Sequence, residues 1–211
     1  MIIAVAHQKG GVGKSTLATN LAFALSSTYQ VNMLDLDQQH SSLLWNRLRE
    51  KDGKQPLPCT IVDSAKELQD IVLEYAGVKG KILVVDCGGF DSDVNRVAIR
   101  HADIILTPIR PSQIEIFGLQ KFLRILEEEG KQAKVVISGA LPQSVGRVEG
   151  LKEYISGKDR FQLMKAVVRY RMDFQTAYAA GLSVIELNQE SPAAREVTGL
   201  AREVKGLIDS L

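Results

Sequence analysis

The chain opens with Ile2-Ile3-Ala4-Val5-Ala6 and continues through His7-Gln8 into Lys9-Gly10-Gly11-Val12-Gly13-Lys14-Ser15-Thr16; Leu17, Leu21 and Leu25 then repeat at helical spacing. A buried apolar run, a glycine-rich turn and the start of a helix form the context in which a phosphate-binding loop works. Gly10, Gly11 and Gly13 let the backbone aim its N–H groups at phosphate oxygens without Cβ collisions, and Val12 lies within the same cradle. Lys14 is placed to neutralise the β- and γ-phosphates of a nucleotide, and Ser15 to ligate Mg2+. Thr16 opens the helix whose dipole favours the anion. The usual GxxxxGK[ST] pattern has glycine where this chain has Gln8.

Beyond that loop, short apolar runs alternate with amphipathic stretches. Val31-Asn32-Met33-Leu34, Ile82-Leu83-Val84-Val85, Ile104-Ile105-Leu106 and Val135-Val136-Ile137 read as strands, and their near-continuous hydrophobicity suits a parallel sheet covered on both faces. Ile116, Leu119, Leu123 and Leu126 share a helical stripe. Val197, Leu200, Val204, Leu207 and Leu211 share another, behind the cap pair Ser191-Pro192. The order predicts a doubly wound α/β fold, mostly parallel, with helices on both faces. Residues 51–58 read as a loop and 173–180 as helical; with no linker or repeat, residues 1–211 are expected to form one domain.

The length of 211 residues fits one domain with a sizeable core, and 45% hydrophobic with 24% charged residues excludes a disordered or fibrous chain. Lys and Arg total 26 against 25 Asp and Glu, a net charge of +1 that gives no overall pull toward nucleic acid or membrane. Two cysteines, Cys59 and Cys87, build no disulfide framework and have no CxxC metal spacing. Free thiols without a signal peptide lead to the expectation of a reducing cytoplasm. The uncharged run over residues 15–34 is too rich in Ser, Thr, Asn and Gln to span a membrane.

Lys9 is not needed for the local cradle. With it, K-G-G-x-G-K-[ST] resembles the loop of the ParA/MinD family of deviant Walker-type ATPases, most nearly the small partition ParA proteins. Other stretches agree in order: Leu34-Asp35-Leu36-Asp37-Gln38-Gln39, with Gln38 where the family usually has proline; Ile82-Leu83-Val84-Val85-Asp86, a Walker B pattern followed by Gly88-Gly89; and Thr107-Pro108-Ile109-Arg110-Pro111-Ser112. Trp45 also matches the small plasmid-type members. The resemblance implies ATP and Mg2+ as ligands, and Lys9 reaching the nucleotide of a partner subunit. It further implies Asp37 positioning the attacking water, Asp35 supporting the metal region and Asp86 holding Mg2+ through water. Gly88-Gly89 would serve as a γ-phosphate sensor loop, and Pro108 and Pro111 would belong to the nucleotide-side loop. Lys9, Lys14 and Asp37 are thus the expected catalytic set.

The resemblance leaves three functions open. One is a DNA- or cargo-partition ATPase that forms a homodimer with ATP, binds DNA without sequence preference and is reset when a small ParB-like or cargo adaptor stimulates slow hydrolysis. Such a protein is nucleoid-associated when ATP-bound. The others are a MinD-like membrane-cycling ATPase and a metabolic or metallocluster enzyme of the same superfamily. The segment over residues 201–211 balances two basic against two acidic side chains without an aromatic, which reads as a core-docking helix, so no membrane partner is expected. The cysteines do not fit a cluster bridged between subunits. Candidates for DNA contact are Arg169 and Arg171, with Arg195, Arg202 and Lys205 on one face of the last helix. Glu196 and Glu203 lie beside them as balancing charges.

Overall fold

The computed structural model describes the backbone of residues 1–211 and every side chain but that of Gln113. Seven strands alternate with helices: β1 (Ile2–Val5), α1 (Lys14–Ser26), β2 (Gln30–Asp35), α2 (Ser41–Lys51), β3 (Cys59–Ile61), α3 (Ala65–Tyr75), β4 (Lys81–Asp86) and α4 (Asp93–His101). The second half continues with β5 (Ile104–Ile109), α5 (Gln113–Glu128), β6 (Ala133–Ala140), α6 (Val145–Ser156), β7 (Phe161–Arg169), α7 (Met172–Ala179), α8 (Val184–Leu187) and α9 (Pro192–Asp209). All pairings are parallel, in the order β3-β2-β4-β1-β5-β6-β7.

The apolar strands split by parity. Ile2, Ala4, Leu83 and Val85 face one core layer with Leu119, Phe122 and Leu126 of α5, whereas Ile3, Val5, Ile82 and Val84 face the other with Leu17, Leu21 and Leu25 of α1. That division explains why the strands read as unbroken hydrophobic runs: successive side chains enter opposite layers, and both layers are dry. Trp45 belongs to the second layer, and its indole N–H donates to the Leu182 carbonyl at 2.9 Å.

The last helix lays Ala193, Ala194, Val197, Leu200, Ala201 and Val204 into the core, as the core-docking expectation required. Leu211 departs from the expected stripe: it lies beyond the helix end and is 75% exposed. Two strands went unforeseen, β3 and β7, and both are sheet edges. β7 carries Gln162, Lys165 and Arg169 among its apolar residues, and its pairing with β6 shifts register twice.

Every one of the first seven helices follows a strand, so their N-termini gather at the C-terminal rim of the sheet. That rim is where open α/β sheets bind ligands.

Candidate active site

The phosphate loop leaves β1 at the centre of the rim. Gly11 (φ 76°) and Gly13 (φ 102°) take left-handed backbone conformations that side-chain-bearing residues avoid, and Gly13 is the N-cap of α1. Gly10, Gly11, Gly13, Lys14, Ser15 and Thr16 line one wall of a cleft of about 520 Å³. Val12 is buried beneath it, so only its backbone is available to a ligand. The Lys14 ammonium folds into the loop and donates to the Lys9 carbonyl at 3.2 Å. Lys9 points elsewhere: its ammonium pairs with Glu115 of α5 at 2.7 Å.

The carboxylates lie at the ends of neighbouring strands, with Asp35 and Asp86 in register between β2 and β4. Their surroundings give them different tasks. Asp35 is fully buried, and both its oxygens accept backbone N–H bonds, from Asp37 at 3.1 Å and Leu43 at 3.0 Å. Burial pushes its carboxyl above the usual range, against the pull of those bonds. These two bonds tie Asp35 to the turn into α2, and each oxygen keeps a further lone pair. Asp37 is half-buried, lines the cleft, and accepts from the Gln39 N–H at 3.0 Å.

Asp86 is likewise buried, and burial pushes its carboxyl up to about 7, opposed by the Ser42 and Ser15 hydroxyls. Its Oδ2 accepts from Ser42 at 2.7 Å, while Oδ1 has no hydrogen-bond partner among the described residues. An orphaned carboxylate oxygen beside the Ser15 hydroxyl and Lys14 suits a divalent cation with its water shell. Among the described residues no three His, Cys, Asp or Glu side chains gather as a metal cage. Gly89 lies against the loop: a Cβ there would sit 3.0 Å from the Gly10 nitrogen and 3.3 Å from Lys14 Nζ.

Pro108 and Pro111 do not line the cleft. Pro108 is built into β5 and buried, past the point where β1 has ended, so its missing N–H costs no ladder bond; Pro111 is buried beside it. Of the two residues between them, Arg110 reaches the cleft, its stem running along Gly139 (φ 64°), where a Cβ would lie 3.5 to 3.8 Å from Nε, Cγ and Cδ. The opposite wall is Phe174, Gln175 and Tyr178 of α7, with the Tyr178 hydroxyl donating to the Ser41 carbonyl at 2.8 Å. Sequence reading recognised that helix and missed its place on the cleft.

The proposed DNA residues do not form one patch. Arg169, Arg171 and Arg195 line a groove between β7 and α9. Arg169 and Arg171 converge on the same Glu196 oxygen at 2.9 and 2.8 Å. Burial opposes ionisation of Glu196, but Arg171 and Arg169 hold its carboxyl below the ordinary range. Lys205 instead turns to the Thr28 hydroxyl at 2.7 Å, and Arg202 lies outside the groove. Glu203 balances none of them; it accepts the backbone N–H groups of Lys165 and Ala166.

A family model, described as the CobQ/CobB/MinD/ParA nucleotide-binding domain, matches residues 3–184. The maintenance of carboxysome distribution protein A of Halothiobacillus neapolitanus is 26% identical over 209 residues, covering 96% of this chain and 95% of that protein. Protein ParA of Rhizobium radiobacter is 33% identical over 131 residues, 61% of this chain and 57% of the relative. Among solved structures, the septum site-determining protein MinD of Pyrococcus horikoshii OT3, complexed with Mg-ADP, superposes with a TM-score of 0.72 at 17% identity, over 98% of this chain and 96% of that one.

Proposed function

The chain belongs to the CobQ/CobB/MinD/ParA nucleotide-binding family and is an ATPase of the ParA/MinD type, and from that premise we propose that it partitions DNA or another cargo by an ATP-gated dimer. In this reading the loop N–H groups and Lys14 bind the phosphates, and Asp37, free on the cleft wall, orients the water that attacks the γ-phosphate in line. Ser15 and, through water, the open oxygen of Asp86 would hold Mg2+, which would supply charge neutralisation to the phosphates. Asp35 keeps the Asp37 turn in place through its two backbone bonds. Lys9 adds positive charge from the partner subunit, where a preorganised cation stabilises the transition state without reorganisation. ATP would allow dimer formation and DNA retention, and hydrolysis prompted by an adaptor would end both.

The observation that carries this reading is the division of labour in the loop: Lys14 folds into its own cradle, whereas Lys9 turns out of it. Coverage of nearly the whole of a carboxysome distribution relative supports a positioning role over a metabolic one. Burial pushes the Cys59 thiol up to about 12 and Cys87 higher still, so both stay protonated in the metal-free protein. Among the described residues no helix is long and apolar enough to cross a membrane, and the apolar face of α9 faces the core.

The test is binding to random-sequence DNA over a salt series, with and without ATP. A dimer neutralising about six phosphates gives a slope of log affinity against log salt near −5. That slope is expected only with ATP and is lost in Lys14→Ala. Absence of DNA binding with ATP, together with ATP-dependent binding to anionic vesicles, would replace this reading with membrane cycling.

A further inference from the structure

Ser112-Gln113-Ile114-Glu115 has the S-x-x-E spacing in which a helix's first-turn glutamate turns back on its own N-cap. Ser183 and Glu186 complete such a box at the start of α8. At α5 the Ser112 hydroxyl makes no cap bond, and the Glu115 carboxylate reaches across the fold to Lys9 instead. Glu115 is only 5% exposed, and among the described residues its second oxygen has no hydrogen-bond partner. The same stripe of α5 grips the start of the phosphate loop at two more points. A Cβ on Gly118 would lie 3.1 Å from His7 Cε1, and the Phe122 ring stacks on the His7 imidazole with centroids 6.0 Å apart. His7 Nδ1 accepts the Lys9 N–H at 3.0 Å, so backbone and side chain of Lys9 are both referred to α5.

We infer that Glu115 is a positioning residue that holds Lys9 in cis, and that Lys9 exchanges this carboxylate for phosphate only when a second copy presents its nucleotide. The inference rests on the trans role given to Lys9 above. A closed lysine–carboxylate pair has no net charge to offer a triphosphate, so the pair must open before Lys9 can act across the dimer. Opening leaves Glu115 as a nearly buried carboxylate without a cation, a penalty that a neutral amide of the same shape removes. Two pairs open per dimer, so the effect on the dimer constant is the square of the effect on one pair.

Two measurements on the full chain test this. Acetylation of Lys9 in nucleotide-free protein, read by mass spectrometry against that of Lys152, is expected to rise several-fold in Glu115→Gln. Sedimentation with a non-hydrolysable ATP analogue is expected to show the dimer midpoint falling about fourfold to twenty-fivefold, from a factor of roughly two to five per pair. Glu115→Asp, which keeps the charge on a shorter stem, should fall between the two proteins. Unchanged Lys9 acetylation, or a midpoint that does not fall, overturns the inference. Lys9→Ala separates the two layers. If that variant dimerises like the parent, the trans role of Lys9 fails; if it stays monomeric while Glu115→Gln leaves the parent midpoint unmoved, only the cis hold fails.

Discussion

An alanine at position 89 would press its Cβ against the Gly10 nitrogen at 3.0 Å and the Gly10 Cα at 3.2 Å, both backbone atoms of the phosphate loop. Neither side can give easily. The 88–90 segment is stapled to α4 by Asn95, which accepts the Gly88 N–H at 3.0 Å and donates to the Phe90 carbonyl at 2.7 Å. Overpacking of about 1.5 kcal/mol at such a contact weakens binding roughly tenfold. Gly89→Ala is therefore expected to lower the thermal midpoint by about 3–6 °C, because the clash is present in the ligand-free fold, and to raise the KM for ATP by up to that factor as the phosphate loop gives way. ATP titration and a thermal melt on the same preparation check both halves. At this scale the sequence was most legible where function is local. Glycines, Lys14 and Ser15 are contiguous, and their spacing alone specifies a cradle. Arg110, Phe174, Gln175 and Tyr178 were not legible, because the cleft walls they form meet only through the order of strands in the sheet. Glu115 was hidden for a related reason: its spacing signals a helix cap, and a contact 106 residues away in sequence overrides that signal.

Among the elements, β7 and α9 depend on each other most closely. β7 is an edge strand, and edge strands present unpaired N–H groups that invite other chains. Here Glu203 accepts from Lys165 N and Ala166 N at 2.8 and 2.6 Å, and Glu196 from Arg169 N at 2.9 Å. Two glutamates one heptad apart on a helix thus replace the missing neighbouring strand. Glu203→Ala leaves two N–H groups without their acceptor, and the variant is expected to lose about 1–3 kcal/mol of stability in urea unfolding. Combined with Glu196→Ala, light scattering should show concentration-dependent association, since the edge is then open. This arrangement also explains why β3 and β7 escaped detection in the sequence. The central strands are sealed on both faces and declare themselves by unbroken apolar runs. An edge strand is partly solvated, and Gln162, Lys165 and Arg169 dilute the pattern on which recognition depends.

For the molecule as a whole, acid stability should report on the loop–α5 clasp. Burial, with Lys14 and Lys9 adding repulsion, lowers the pKa of His7 to about 4. Unfolded histidine takes its proton near 6.5, so between about 6.5 and 4 the unfolded chain binds a proton that the folded one refuses, and stability falls with pH by up to about 3 kcal/mol before levelling off. Asp35 and Asp86, whose carboxyls are raised by burial, act with the opposite sign over part of that range. Comparison with His7→Asn, which keeps an acceptor for the Lys9 N–H but does not titrate there, isolates the histidine. Urea unfolding from pH 7 to 4 is expected to give the flatter profile for that variant.

A parallel sheet in which each of seven strands leads into a helix has a further electrical consequence. The positive ends of those seven helix dipoles all sit along one rim, where Lys14 and Arg110 face the carboxylates of Asp35, Asp37 and Asp86 and Lys9 is paired with Glu115, while the chain's net charge is only +1. The polarity of this nearly neutral protein is therefore that of its helix ends. Two copies turned with those ends together bring positive dipole ends face to face until something strongly negative lies between them. In the proposed sandwich the two triphosphates are that filling, so the molecule that fuels the cycle is also the mortar of the joint, and each hydrolysis removes part of it.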